Sequence, residues 1–167
     1  MTVEAARPEE SFLDAARKGD VAYLKQAIAD GIAIDTRDGR GYTALLLASY
    51  NGNLEAVKLL LESGADVNAG DEAGNTALMG VSFKGYDDIA RLLISNGADL
   101  NHQTGNGGTA LMFAALFGKN ELVKTLLESG ADVTKQDVRG FTAFGLALQQ
   151  GNDEAIELFK QHSQQVG

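Results

Sequence analysis

Residues 38–70 read DGRGYTALLLASYNGNLEAVKLLLESGADVNAG, and this stretch decides the fold because it recurs along the chain. A shift of 33 residues aligns it with DEAGNTALMGVSFKGYDDIARLLISNGADLNHQ at 71–103 and with TGNGGTALMFAALFGKNELVKTLLESGADVTKQ at 104–136. A fourth copy starts at residue 137 and decays near its end, and a shorter copy without the opening turn precedes them at 8–37. Such self-similarity is typical of proteins built by stacking one structural unit on the next.

Each copy predicts a turn, two helices and a loop. In the copy at 38–70, Gly41 suits a tight turn that needs positive φ, and Thr43 is a natural helix N-cap because its hydroxyl can accept a free backbone N–H. Gly52 and Gly64 follow at the expected ends of the first and second helices, where glycine commonly terminates a helix. The unit is therefore a pair of short helices with glycine at every boundary.

The motifs DxxGxTxL and LLxxGADVN, repeated with a period of 33, resemble those of the ankyrin repeat family over residues 10–162. The resemblance implies an all-α repeat solenoid of about five 33-residue helix-turn-helix repeats, capped at both ends, in a single domain over residues 1–167. The expected repeats cover 8–37, 38–70, 71–103, 104–136 and 137–163. The family's usual TPLH is replaced here by TALL, TALM, TALM and TAFG, and the chain is similar to small free-standing bacterial ankyrin proteins.

Composition narrows the classes of function. The chain has no cysteine, so neither a disulfide nor a thiolate site can form, and its net charge is −9 with a pI of about 4.6. Without a basic stripe or an apolar run of ~20 residues, we expect neither nucleic-acid nor membrane binding. The acidic balance predicts a protein partner with a basic surface. Because the first twenty residues lack the apolar core of a signal peptide, we expect the cytoplasm, or the periplasm if a leader has been removed.

The resemblance also places a candidate binding surface. Ankyrin proteins usually bind partners on the concave side, at the ends of the first helices and at the turns. The candidate residues there are Tyr42, Tyr50, Phe83, Lys84, Leu116, Phe117, Arg139 and Phe141, with Arg40, Glu72 and Asn106 at the turn tips. Exposed aromatic residues with a polar rim are typical of interaction surfaces. The alternative is that these rings fold over adjacent turns and seal the gaps between repeats.

Residues that could perform chemistry are explained by their place in the repeat. GNGG at 105–108 occupies the turn, and His102 and His162 are too far apart in the sequence to suggest a metal site. The acidic pairs at 87–88 and 153–154 begin second helices, where negative charge is favourable. We therefore expect no catalytic residue, no metal and no cofactor.

The sequence thus predicts a non-catalytic protein–protein interaction module, acting as an inhibitor, an immunity protein or a stress-related accessory protein. The alternatives are a structural, self-assembling repeat protein or an enzyme. We expect a monomer, because a charged first unit and a polar last unit disfavour end-to-end stacking. The polar tail KQHSQQVG at 160–167 is expected to fray.

Overall fold

The computed structural model describes residues 7–166, and ten α-helices in five successive pairs account for most of them. The first helices of the pairs are α1 (Pro8–Lys18), α3 (Ala44–Tyr50), α5 (Ala77–Lys84), α7 (Ala110–Leu116) and α9 (Ala143–Gln150). The second helices are α2 (Val21–Ala29), α4 (Leu54–Glu62), α6 (Asp87–Ser95), α8 (Asn120–Glu128) and α10 (Asp153–Val166). Extended pairing within residues 7–166 is limited to one isolated bridge between Gly70 and Thr76. The predicted all-α repeat solenoid is confirmed.

The threonines and glycines that were predicted to lie at helix boundaries do lie there. Thr43 lies in extended backbone just before α3, and its hydroxyl accepts the N–H of Leu46 at 3.2 Å. The same bond recurs at Thr76, Thr109 and Thr142. The glycines that follow the helices have left-handed backbone, with φ of 74° at Gly52 and 93° at Gly64. Since side chains other than glycine rarely adopt this conformation, these glycines define where each helix stops.

The two helices of each pair form two rows. First helices pack against first helices of the neighbouring pairs, and second helices do the same with their own neighbours. The first helices approach each other more closely than the second helices do, so the stack curves with its first helices on the concave side. One apolar core runs through the whole stack from Phe12 in α1 to Phe159 in α10.

Hydrogen bonds between the loops fix the register of successive repeats. A side-chain oxygen in each loop accepts a backbone N–H from the residue 31 positions further along, in the next repeat. The pairs are Asp35 with Asp66 at 3.0 Å, Asn68 with Asp99 at 2.7 Å, and Asn101 with Asp132 at 2.7 Å. This ladder ties each loop to its neighbour and adds to the packing of the helices.

The expectation that the polar tail frays is wrong for the part of it that the structure describes. Helix α10 continues to Val166 and has 14 residues, against nine in α8. Phe159, the residue just before the tail, is 6 % exposed and contacts Phe144, with ring centroids 5.7 Å apart, and this contact holds α10 on the last repeat. His162 in this extension is half-buried, and Gly167 lies outside the described residues.

Between residues 7 and 166 no helix is both long and apolar enough to cross a membrane.

Candidate functional site

Three aromatic rings lie side by side on the concave side of the stack. Tyr50, Phe83 and Phe117 lie at the C-terminal ends of α3, α5 and α7 and are 47 %, 37 % and 45 % exposed. The rings of Tyr50 and Phe83 are parallel, with centroids 6.4 Å apart. Those of Phe83 and Phe117 meet edge to face at 4.7 Å. We call these three residues the aromatic ledge.

The repeat itself aligns the ledge. Tyr50 and Phe83 are 33 residues apart, and Phe117 follows Phe83 by 34. Stacked first helices therefore bring the three side chains to the same end of the row. The ammonium of Lys84 lies 4.9 Å from the centre of the Tyr50 ring, which is a cation–π distance. The ledge thus combines apolar ring surface with a positive charge at its edge.

Three other predicted residues are less exposed to solvent than the ledge. Tyr42, Leu116 and Phe141 are half-buried and pack against the core. The guanidinium of Arg139 lies 4.9 Å from the centre of the Phe141 ring and covers it. Tyr42 and Leu116 also line the grooves described below, so the predicted residues differ in how far they are exposed, and Tyr50, Phe83 and Phe117 are the most open of these aromatic positions.

Two grooves flank the ledge. The first has a volume of about 610 Å³, its lining includes Leu46, Leu47, Met79 and Gly80, and Tyr50 and Phe83 form part of its wall. The second has a volume of about 570 Å³ and is lined by Asn106, Phe113, Leu116, Val138 and Arg139, among others. Phe113 and Asn75 line both grooves and lie between them.

The turn tips are held in place by their own hydrogen bonds. The Asp38 carboxylate accepts the N–H groups of Arg40 at 2.9 Å and Tyr42 at 3.0 Å, and Asp71 and Asp137 form the same pair of bonds in their turns. Neighbouring tips are also joined, since the N–H of Glu72 donates to the Arg40 carbonyl and that of Val138 to the Asn106 carbonyl. The four predicted tip residues Arg40, Glu72, Asn106 and Arg139 are all exposed.

The groove surface does not share the acidity of the whole protein. Among the described residues, its charged lining consists of Arg17, Arg40, Arg139, Asp38, Asp71 and Asp137, three of each sign. The aspartates are engaged by backbone N–H groups of their own turns. The expectation of a basic partner depended on the net charge of −9, and that charge lies mostly on other surfaces.

Two carboxylates, one in the groove lining and one on α1, have a lowered pKa. Burial raises the pKa of Asp137, but the hydrogen bonds from the backbone of Phe141 and from Arg139 outweigh it, so the pKa lies below its usual 3.8. At the other end, the hydrogen bond from Lys18 lowers the pKa of Asp14, which also pairs with Arg17 at 3.3 Å. Arg40 differs from the other two groove arginines, because its side chain makes no hydrogen bond or ion pair with any described residue.

Sequence reasoning missed several groove residues. Arg17 lies 33 residues before Tyr50, so the repeat alignment itself could have placed it in the groove. Leu47, Gly80 and Phe113 share another position of the unit, three residues before that of Tyr50. This position was missed because a first helix in the middle of a stack is apolar on nearly every side, and the sequence does not mark which side faces the groove.

Asp87, in the first of the acidic pairs, has structural partners. Helix α6 begins at Asp87, as predicted, and the Asp87 carboxylate pairs with Arg91 at 2.7 Å and accepts the hydroxyl of the buried Thr125 in α8. The hydrogen bond to Asp87 raises the pKa of Arg91. Within the part of the chain that the structure describes, no three side chains of the metal-binding types lie close enough to hold an ion.

The comparison with protein families agrees with this geometry. The model of ankyrin repeats, which contains three copies of the unit, matches residues 12–104 and again residues 81–167, so nearly the whole chain is covered. No curated protein matches the chain. Ankyrin repeats are generally protein–protein interaction modules and are typically non-enzymatic. Repeat length, helix pairs, turns and family match all lead to one assignment: the chain belongs to the ankyrin repeat family.

Proposed function

We propose that this protein is a non-catalytic interaction module that binds a partner protein on its concave side, with the aromatic ledge as the main contact. The observation that carries the proposal is the ledge itself, three contiguous rings exposed beside a groove. Three successive repeats each expose one aromatic side chain here, and aromatic side chains dominate the energetics of protein interfaces.

The mechanism is binding by a preformed surface. The turns are closed by aspartate hydrogen bonds and linked tip to tip, and the ledge rings already contact each other. Aromatic side chains lose little conformational freedom when they are immobilised, and a stiff stack loses little more. Most of the free energy of burying the rings is then available for affinity.

The groove supports two biological roles, an inhibitor or immunity protein that covers a partner's surface, or a stress-related accessory protein. Both require a rigid surface and neither requires chemistry by this chain. The balanced charge of the groove means that recognition depends on apolar contacts first, with Arg40 and Lys84 adding local polarity. We propose the cytoplasm as the compartment, or the periplasm if a leader has been removed.

We also propose that the protein acts as a monomer. Leu148 in the last repeat is 52 % exposed, at a position where earlier repeats have the buried small residues Ala16, Ser49, Ser82 and Ala115. A second copy stacked here in the same register would meet a leucine where first helices approach closely. Light scattering at two concentrations should give the mass of one chain, and open-ended growth with concentration would support the self-assembling alternative instead.

The direct test compares Phe83→Lys with the wild type. Binding partners are captured on each immobilised protein and identified by mass spectrometry, and affinity is then measured with the purified partner. We expect a loss of about 30-fold or more, as for interface hot spots, with the melting temperature nearly unchanged because Phe83 is open to solvent.

The matched control is Tyr23→Lys, which replaces an exposed ring on α2, in the other row of helices. It should bind as the wild type does. Equal binding by wild type and Phe83→Lys would move the site away from the ledge and contradict the proposal. Unfolding of Phe83→Lys would show that the ring is a packing residue.

A further inference from the structure

Gly80 lies inside helix α5, where glycine destabilises a helix relative to alanine. Its backbone is not in the left-handed region that favours glycine. A Cβ built on it would approach only Cδ2 of Tyr50, at 3.5 Å, which is an ordinary van der Waals distance. Neither backbone nor packing therefore requires glycine at this position.

Gly107 shows what a glycine required by the fold looks like. It has φ of 80°, and a Cβ there would come within 2.8 Å of the Cα of Asp137. That glycine serves a turn and a close approach between neighbouring repeats. Gly80 has neither positive φ nor a close backbone approach. What distinguishes it is the space left by its missing side chain.

The space left by Gly80 is a notch in the lining of the first groove. Earlier and later repeats have Leu47 and Phe113 at this position of the unit, and all three residues line the groove. The missing side chain opens the groove next to Tyr50 and Phe83, the first two rings of the ledge. The notch is thus a small, apolar recess beside the proposed binding surface.

We infer that this notch receives an apolar side chain of a partner polypeptide, and that an acidic side chain next to it on the partner pairs with Arg40. The inference rests on the proposed function and specifies the chemistry of the partner. Arg40 lines the same groove with no side-chain partner among the described residues, whereas the carboxylates of Asp38 and Asp71 are engaged in their turns. Within residues 7–166, Arg40 is therefore the arginine of this groove whose guanidinium donors are free to pair with a carboxylate of a partner.

A polypeptide segment fits better than a free small molecule because the exposed surface extends beyond the notch. The ledge continues from Phe83 to Phe117, which is not part of the first groove's lining. A ligand that covers the whole ledge must therefore pass from the notch to the following repeat. An extended or helical segment with one apolar anchor and a nearby carboxylate meets these requirements.

The test uses a phage-displayed library of random 12-residue peptides selected on the intact wild-type protein. We expect enriched peptides to share an apolar residue with Asp or Glu close to it. Their affinity is then measured for Gly80→Ala, Arg40→Glu and Phe83→Lys. Gly80→Ala should bind about tenfold more weakly, as overfilling a packed site does, and should nevertheless melt at a higher temperature. Arg40→Glu should also weaken binding of the acidic peptides.

Gly145→Ala is the matched control. Gly145 also lies inside a first helix without positive φ, and a Cβ there would make only ordinary contacts, at 3.4 Å and 3.6 Å. It lines neither groove. We expect this variant to melt at a higher temperature and to bind the peptides unchanged, which separates the effect on the helix from the effect on the notch.

The outcomes separate the inference from the proposed function. If Phe83→Lys abolishes peptide binding and Gly80→Ala leaves it unchanged, the inference about the notch is wrong and the proposed function stands. Binding that Phe83→Lys leaves unchanged would overturn both. Enriched peptides with basic residues, or no enrichment, would overturn the acidic segment as the occupant. Self-association that Gly80→Ala removes would identify a second copy as the occupant and also overturn it.

Discussion

The middle repeats and the last repeat have the same pattern, yet equivalent residues have different environments. Leu45, Leu78 and Leu111 are buried in the core, whereas Phe144 at the same position of the unit is only half-buried and contacts Phe159. Ser82 is fully buried, whereas Leu148 at its position is more than half exposed. Burial in this protein is therefore set by the repeat that follows, because each unit completes the core of its neighbour.

This difference also explains the residue types. Where two first helices approach closely, the position of Ser82 is occupied by alanine or serine in every repeat that has a successor. The last repeat has no successor among the described residues, so a leucine fits without a clash. Substitutions at equivalent positions should then change the free energy of unfolding by unequal amounts. The differences measure how much each repeat depends on contacts with the next one.

The largest expected effect on stability is at the position shared by Leu78 and Phe144. Leu78→Ala should lower the free energy of unfolding by about 2–5 kcal/mol, because it opens a cavity in the core. Phe144→Ala removes a larger side chain but should cost only about 1–2 kcal/mol, since one side of that ring already faces solvent. Urea unfolding followed by far-UV circular dichroism measures both. Equal losses would mean that the last repeat is as tightly packed as the middle ones.

The next largest effect on stability is expected at the position shared by Ser82 and Leu148. Ser82→Leu should lower the free energy of unfolding by about 1–3 kcal/mol, because it overfills the contact between first helices. It also removes the hydrogen bond from the Ser82 hydroxyl to the Leu78 carbonyl. The reciprocal change Leu148→Ser should stay within about 0.5 kcal/mol of the wild type, as exposed substitutions do. A well-tolerated Ser82→Leu would contradict the close approach of the helices.

The smallest expected effect is the loss of stability at low pH from the turn that contains Asp137. The turn of the last repeat is closed by Asp137, whereas the equivalent bond in the turn before it comes from the uncharged hydroxyl of Thr104, which accepts the Gly108 N–H at 3.1 Å. Because the folded pKa of Asp137 is lowered, its stabilisation is present above the unfolded value near 3.8 and is lost as pH falls through the folded value.

Urea unfolding of the wild type and Asp137→Thr should therefore be compared between about pH 6 and pH 2. Asp14 and Asp132 also have lowered pKa values and affect both proteins, so the difference between the two curves isolates Asp137. We expect the wild type's advantage to shrink below about pH 4. Parallel curves would show that the carboxylate does not stabilise the last turn through its charge.

The fold could be predicted almost completely from the sequence. The spacing of Gly41, Thr43, Gly52 and Gly64 marks each boundary locally, and the structure has helices between these marks. The error was at the end of the chain, where the polar tail was expected to fray and instead continues α10. Polar composition alone did not reveal that Phe159, just before the tail, anchors the helix on Phe144.

The candidate site could be predicted only in part. The alignment brought Tyr50, Phe83 and Phe117 to one end of the first-helix row, and the structure places them there in contact. It could not separate them from Tyr42 and Phe141, which pack against the core. Nor could the net charge show that the groove's own arginines and aspartates balance, because a sum over the chain carries no position.

The sequence by itself determined the period, the helix boundaries and the all-α stack, because glycine backbone and threonine caps act over a few residues and repeat with every unit. Only the tertiary structure decided which rings are open, that Gly80 leaves a notch, and that Leu148 ends the stack exposed. Those properties depend on contacts between residues about one repeat apart, and such contacts exist only after the units have stacked.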